Sequence, residues 1–129
     1  MTFDTKCVSR EPDAMAPDGS EVRIPCRVGR GGMAHFTLPP MAVSRAVAHR
    51  TVEEVWFFIS GLGRMWRRLG GREEIVEVGP GTSISIPVGT HFQFRSDGYE
   101  PLAAIGATMP PWPGEDEAYA VDGPWRATV

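Results

Sequence analysis

Short apolar runs cut by glycine and proline are the feature that most limits what this chain can become. Its 129 residues include 15 glycines and 12 prolines, scattered from end to end. Turn formers at such intervals leave little room for long helices and suit a chain of many short strands. This length supports one hydrophobic core and not a second. Hydrophobic residues make up 42% and charged residues 22%, close to the soluble globular average, so the chain has enough apolar surface to fold. A formal net charge of -3 and the lack of a basic run argue against a nucleic-acid partner. No apolar stretch reaches the length of a membrane span. The opening residues, Met1-Thr2-Phe3-Asp4-Thr5-Lys6, lack the basic-then-apolar order of an export signal, so the expected location is cytoplasmic. Cys7 and Cys26, far apart and in no metal-ligand spacing, read as free thiols.

Residues 1–20 read as an N-terminal arm or edge strand that ends in the turn Pro17-Asp18-Gly19-Ser20. From Glu21 to Val28, the residues Val22, Ile24, Cys26 and Val28 recur at the strand period, and Pro25 marks an edge strand or a bulge. Met33 to Leu38 is a second strand, with Met33, His35 and Thr37 on one face and Ala34, Phe36 and Leu38 on the other. Met41 to Ala48 fits a loop or strand better than a short helix. Glu53 to Ile59 carries the strongest strand signal, and Gly70-Gly71 reads as a hairpin turn. Further strands are expected at Glu74–Val78, Ser83–Ile86, His91–Arg95 and Leu102–Thr108. Residues 109–129 read as an irregular tail, anchored by Trp112, Tyr119 and Trp125, that wraps the barrel or a partner subunit. The expected organisation is one domain, with its body at 20–108. Sandwich and barrel both satisfy this pattern.

Two stretches carry candidate chemistry. In the first, His49-Arg50-Thr51-Val52-Glu53-Glu54 leads into the apolar run Val55-Trp56-Phe57-Phe58-Ile59-Ser60-Gly61. The second runs from Gly81 through Pro87-Val88-Gly89-Thr90-His91 to Phe92-Gln93-Phe94-Arg95. Together they resemble the two motifs of the cupin family. The first motif reads Gly, five residues, His-x-His, three or four residues, Glu, six residues, Gly; here Glu54 and Gly61 fit. Counting back from Glu54 puts Ala48 and Arg50, or Val47 and His49, at the histidine positions, so the pair is reduced to His49, with Thr51 two residues on. The second reads Gly, five residues, Pro-x-Gly, two residues, His, three residues, Asn. Gly81, Pro87 and Gly89 fit, His91 comes one residue early, and Arg95 stands where asparagine would. The string His-Arg-Thr-Val-Glu-Glu-Val-Trp resembles that of a subgroup of small cupins.

The resemblance implies an all-β fold, a double-stranded β-helix or jelly-roll barrel, usually a homodimer, with a pocket inside. Many cupins hold Fe, Mn, Ni, Zn or Cu through His, His, Glu and His. Their activities span dioxygenation, isomerisation, decarboxylation and lyase chemistry, and others bind or store. Fold alone does not choose among these.

On this basis His49, Glu54 and His91 form a candidate two-histidine, one-carboxylate metal site, with Glu53 as the fallback carboxylate. Imidazole and carboxylate suit Fe, Mn, Ni or Zn and leave positions open for substrate. Glu54 and His91 are also the candidate catalytic groups for proton transfer. The opposing reading makes them a hydrogen-bonded pair in a barrel without metal. His35 is a candidate substrate-binding residue or replacement ligand, set against a satisfied structural histidine. Gln93 and Arg95 share the strand face of His91 and are candidates to bind substrate, Arg95 by a bidentate grip on an acid. Trp56 and Phe58 share the face of Glu54 and would line the same cavity, although core is the commoner fate of strand aromatics. Arg64, Arg67, Arg68 and Arg72 with Glu73, Glu74 and Glu77 read as cross-strand pairs on a solvated hairpin. No glycine-rich phosphate loop, nucleophile elbow or Cys-x-x-Cys pair occurs.

Two functions follow as expectations. In one, a small organic molecule binds in the barrel beside a divalent metal, for isomerase, lyase or dioxygenase chemistry. In the other, a metal-free cupin binds a small molecule without turning it over.

Overall fold

The computed structural model describes residues 2–129. Its strands are β1 (Ala14–Met15), β2 (Glu21–Arg23), β3 (Arg27–Val28), β4 (Gly31–Leu38), β5 (Val47–His49) and β6 (Glu53–Ser60), then β7 (Gly63–Leu69), β8 (Arg72–Val78), β9 (Ser83–Ile86), β10 (His91–Ser96), β11 (Leu102–Met109) and β12 (Ala118–Ala120). The only helical turn among the described residues is a 3-10 segment, Glu115–Glu117. All pairings are antiparallel and form two sheets. One runs β1-β2-β4-β11-β6-β9, with β3 also on β4, and the other runs β12-β5-β10-β7-β8. Among the described residues no helix is long and apolar enough to cross a membrane.

Strand alternation builds the interior. Along β6 the exposure alternates strictly, so Glu54, Trp56 and Phe58 point inward while Glu53, Val55, Phe57 and Ile59 point out. Ala34, Phe36 and Leu38 of β4 point inward in the same way, as do Phe92 and Phe94 of β10. Trp56 lies at the centre: it stacks on Phe36 with ring centroids 4.6 Å apart and meets Phe94 edge-on at 5.1 Å. Gly106 of β11 makes room for that stack, since a Cβ there would sit 3.0 Å from both Phe36 and Trp56. Gly61, which closes the first motif, has φ of 79°, and a Cβ would collide with the Pro101 carbonyl.

Several expectations shift in detail. The stretch Glu21–Val28 is split at Pro25 into β2 and β3, and only Val22 of its alternating set is buried, with Ile24 and Val28 exposed. Proline has no N–H for the ladder, and the strand resumes only beyond it. On the β7–β8 hairpin Arg67 pairs with Glu74 at 2.7 Å, as the register allows. Glu73 instead accepts from the Trp66 indole at 2.7 Å, and Arg64 turns to Asp97 at 2.8 Å. The tail is more regular than expected. It contributes β12, which pairs with β5 as the edge strand of that sheet, and then meets Gln93 on the outer face of β10. Cys7 and Cys26 are free.

Candidate functional site

A cavity of about 570 Å³ lies between the sheets, with Val47, His49, Glu54, Trp56, Phe92 and Thr108 in its wall. The tail closes one side with Pro111 and Trp112, and the N-terminal arm and Arg27 of β3 reach the other. A shallower depression of about 220 Å³ on the outer sheet face, lined by residues such as Met33, Val55, Phe57 and Ile105, holds no titratable group. The chemistry belongs to the inner cavity.

His49 ends β5 and Glu54 stands second on β6, so residues 50–52 turn the chain and face the two side chains together. His49 Nδ1 lies 3.3 Å from Glu54 Oε1, with side chains 5% and 2% exposed. The two atoms are close without hydrogen-bond alignment, and Nδ1 has no other partner. The other carboxyl oxygen, Oε2, accepts from the Trp56 indole at 2.7 Å. Thr108 of β11 is the register partner of Glu54 and shares its cavity face.

Burial sets the charge state of this pair. It pushes Glu54 up to about 7 against the pull of the Trp56 hydrogen bond, and the charges of Asp18 and Glu117 push the same way. Burial also pushes His49 down to about 4, only partly opposed by the Glu117 charge and a backbone bond to Val52. Near neutrality, therefore, His49 is uncharged and Glu54 is divided between acid and carboxylate. Their contact is not a full ion pair. Asp18, also in the wall, is raised by burial although Ser20 bonds its carboxyl through both N and Oγ.

Glu117 fastens the turn between the two residues. Its carboxylate accepts from Thr51 N at 2.7 Å, Val52 N at 3.0 Å and the Thr51 hydroxyl. Burial raises its pKa, but these three donors and His49 outweigh that and hold it low. Each backbone N–H of a tight turn needs a partner, and here a side chain 65 or 66 residues away supplies it.

The rest of the expected set is elsewhere. His91 lies on the outer face of β10, half-buried, with Nδ1 3.3 Å from Arg68. Gln93 is buried on that same outer face, donating to the carbonyls of Ser44 and Trp125 at 2.8 Å and accepting from Trp125 N. Arg95 donates to Asp97 at 2.8 Å and lies over the Trp125 ring. His35 faces outward from β4 beside Arg23, and its pKa is lowered by burial and, to a smaller extent, by the Arg23 charge. Phe58 faces inward but is core rather than cavity wall. Of the expected residues, the structure brings together His49, Glu54 and Trp56. One physical reason covers His91, Gln93 and Arg95: a strand alternates faces, and Phe92 and Phe94 take the inner one.

This placement tests the metal expectation. Val47, His49, Glu54 and Phe92 all line the cavity, and they stand where the motif spacing would put His, His, Glu and His. Val47 and Phe92 are register partners and cannot coordinate. Phe92 instead meets His49 edge-on at 5.3 Å. Among the described residues no group of three His, Cys, Asp or Glu is placed to hold a metal ion. The set His49, Glu54 and His91 therefore does not fit a three-ligand centre.

Val47, Phe92, Thr108, Trp112 and Glu117 were not foreseen as site residues. Phe92 was legible from the one-residue offset of His91, and the run Pro110-Pro111-Trp112-Pro113-Gly114 singled out Trp112. Glu117 carried no signal.

No family model matches the sequence, and neither does any curated protein. Solved structures do resemble the fold. Oxalate decarboxylase from Bacillus subtilis is similar at a TM-score of 0.71 with 18% identity over 87% of this chain, which spans 30% of that one. Streptomyces Pac13, solved with uridine, is similar at 0.71 with 12% identity, covering 95% of this chain and 92% of that one. A Klebsiella pneumoniae protein with a double-stranded β-helix domain is similar at 0.65 with 13% identity, covering 84% and 89%. The two antiparallel sheets, the cavity between them and these likenesses give this chain a double-stranded β-helix fold of the cupin type.

Proposed function

We propose that this chain binds a small organic molecule in the barrel and acts on it by proton transfer at Glu54 and His49. The observation that carries this reading is the uncharged imidazole 3.3 Å from a carboxyl poised near 7, in the wall of a cavity of about 570 Å³. A group that is half protonated at working pH serves equally as acid and base. For elimination, Glu54 as carboxylate would take the proton from carbon as the double bond forms and the C–O bond breaks. It would return that proton to the departing oxygen, oriented by His49, so that it leaves as water; for isomerisation it would return the proton to a neighbouring atom of the substrate. Elimination or isomerisation fits these parts, and a lyase is our preferred class. Pac13, a protein of this fold and length, is described as a nucleoside dehydratase, which supports that class. A divalent metal is what the cupin fold suggests in general, and oxalate decarboxylase is described with Mn(II) centres. The donor set in this cavity argues for chemistry by the side chains themselves. We further propose a homodimer, formed through the outer apolar residues Val55, Phe57 and Ile105.

The test is a metabolite mixture incubated with wild type, Glu54→Gln and His49→Gln, read by mass spectrometry beside elemental analysis of each protein. A compound that loses one water, or isomerises, with wild type and at least a hundredfold more slowly with Glu54→Gln supports the reading. About one equivalent of a transition metal that vanishes in His49→Gln would overturn its metal-free form. No turnover, with a compound retained by wild type, would leave the non-catalytic binding function instead.

A further inference from the structure

The barrel does not complete the cavity; the tail does. β11 ends at Met109, and Pro110-Pro111-Trp112-Pro113-Gly114 then crosses the mouth before Glu115–Glu117 docks. Three prolines restrict the backbone of this crossing. Its far end is clamped by the Glu117 carboxylate, by Arg50 N to the Glu117 carbonyl at 2.9 Å, and by Arg50 Nε to the Asp116 carbonyl at 2.9 Å. Trp112 is thereby held against His49, with ring centroids 4.9 Å apart and planes at 77°.

The aromatic rings of the wall differ in what they can still do. Phe36, Trp56 and Phe92 are 8%, 1% and 1% exposed, their surfaces already spent on one another and the core. Trp112 is only half-buried and still offers ring surface. A flat ring can stack or meet it edge-on, whereas a puckered ring presents hydrogens all round and fits less closely. Beyond it, Glu54, His49 and Thr108 offer donors and acceptors. Arg27, at the exposed rim, is the one lysine or arginine in the wall, whereas Asp18 and Glu54 line its interior, so an anionic group driven deep into the cavity would lack an opposite charge.

Resting on the cavity reading above, we propose that the ligand is a flat-ringed molecule without negative charge, with a hydrogen-bond donor and acceptor on one edge. Trp112 is the residue that selects the flat ring.

The test uses two neutral lactams with the same polar edge, flat 2-pyridone and puckered 2-piperidone, titrated into the full chain by ligand-observed NMR. Wild type should bind 2-pyridone about fivefold tighter, equivalent to about 1 kcal/mol. Trp112→Ala should bring the ratio near one, Trp112→Phe should restore most of it, and Thr108→Met, which narrows the cavity, should weaken both lactams. Circular dichroism confirms that each variant is folded. Equal binding by wild type, or a ratio unmoved in Trp112→Ala, overturns the role of Trp112; sensitivity to Thr108→Met then preserves the cavity reading. Binding of neither lactam, or binding indifferent to Thr108→Met, overturns the ligand class and the cavity reading together.

Discussion

The two faces of β10 differ in a way that inverts the usual search for a site. Its outer face carries His91, Gln93 and Arg95, three residues with obvious chemistry, and spends them on structure: Arg68, the tail backbone and Asp97. Its inner face carries Phe92 and Phe94, which have no such chemistry, yet Phe92 walls the candidate site. Each of these outer-face groups is already engaged by a neighbouring side chain or backbone group. A polar pair inside an apolar wall keeps its reactivity because burial shifts both groups. In this barrel the site is marked by two polar side chains among aromatic ones.

Four experiments would break or sharpen that contrast. The largest effect is expected on the inner face: Trp56→Ala removes the ring on which Phe36, Phe94 and the Glu54 bond depend. Urea denaturation should show a loss of about 3–5 kcal/mol. A loss under 1 kcal/mol would mean that the inner face is not organised around this residue.

The second experiment uses pH. Glu54 is raised from its ordinary 4.5 to about 7, so the folded state holds a proton that the unfolded state has lost. Its contribution therefore falls as pH rises through that window, by on the order of 3 kcal/mol. His49 is lowered from 6.5 to about 4, so the unfolded state holds the extra proton and stability rises with pH from about 4 to 6.5. The two slopes oppose each other in the wild type. Glu54→Gln should expose the rising slope, and His49→Gln the falling one, in urea titrations taken between pH 4 and 7.5. Identical pH profiles for the two variants would show that neither group is buried as described.

On the outer face, Gln93→Ala removes three hydrogen bonds that hold Ser44 and Trp125. We expect a loss of about 1–2 kcal/mol. Faster amide exchange over residues 121–128, with unchanged lactam binding, would confirm that Gln93 serves the tail. The smallest effect is expected from His91→Ala, within about 0.5 kcal/mol and with turnover intact. Loss of activity or of a bound metal in that variant would return His91 to the site and undo the contrast.

Most of the strands were legible because their signals are local. Ser83–Ile86 matches β9 end to end, and the alternation along Glu53–Ile59 put Glu54 and Trp56 on the cavity side of β6. The double glycine marked the hairpin between β7 and β8, and Pro25 marked the break between β2 and β3. What failed was the reading of residue type without face. His91 looked like a ligand that had drifted by one position, but in a strand one position is the opposite side of the sheet. Gln93 and Arg95 shared that parity and went with it. For His35 the alternation was known, but which side of β4 would be inner was not.

By itself the sequence determined a chain of short strands, their breaks at glycine and proline, and the shared face of Glu54 and Trp56. These follow from backbone rules that act over a few residues: the period of two, proline's missing donor, glycine's open φ. Only the tertiary structure decided that Phe92 and not His91 faces His49, that Glu117 binds the turn at Thr51 and Val52, and that Trp112 closes the cavity. Those contacts join parts of the chain more than 40 residues apart. They exist only because the closed barrel, with its tail folded back, brings these segments around one buried volume, where burial is the largest influence on the charge of Glu54 and His49.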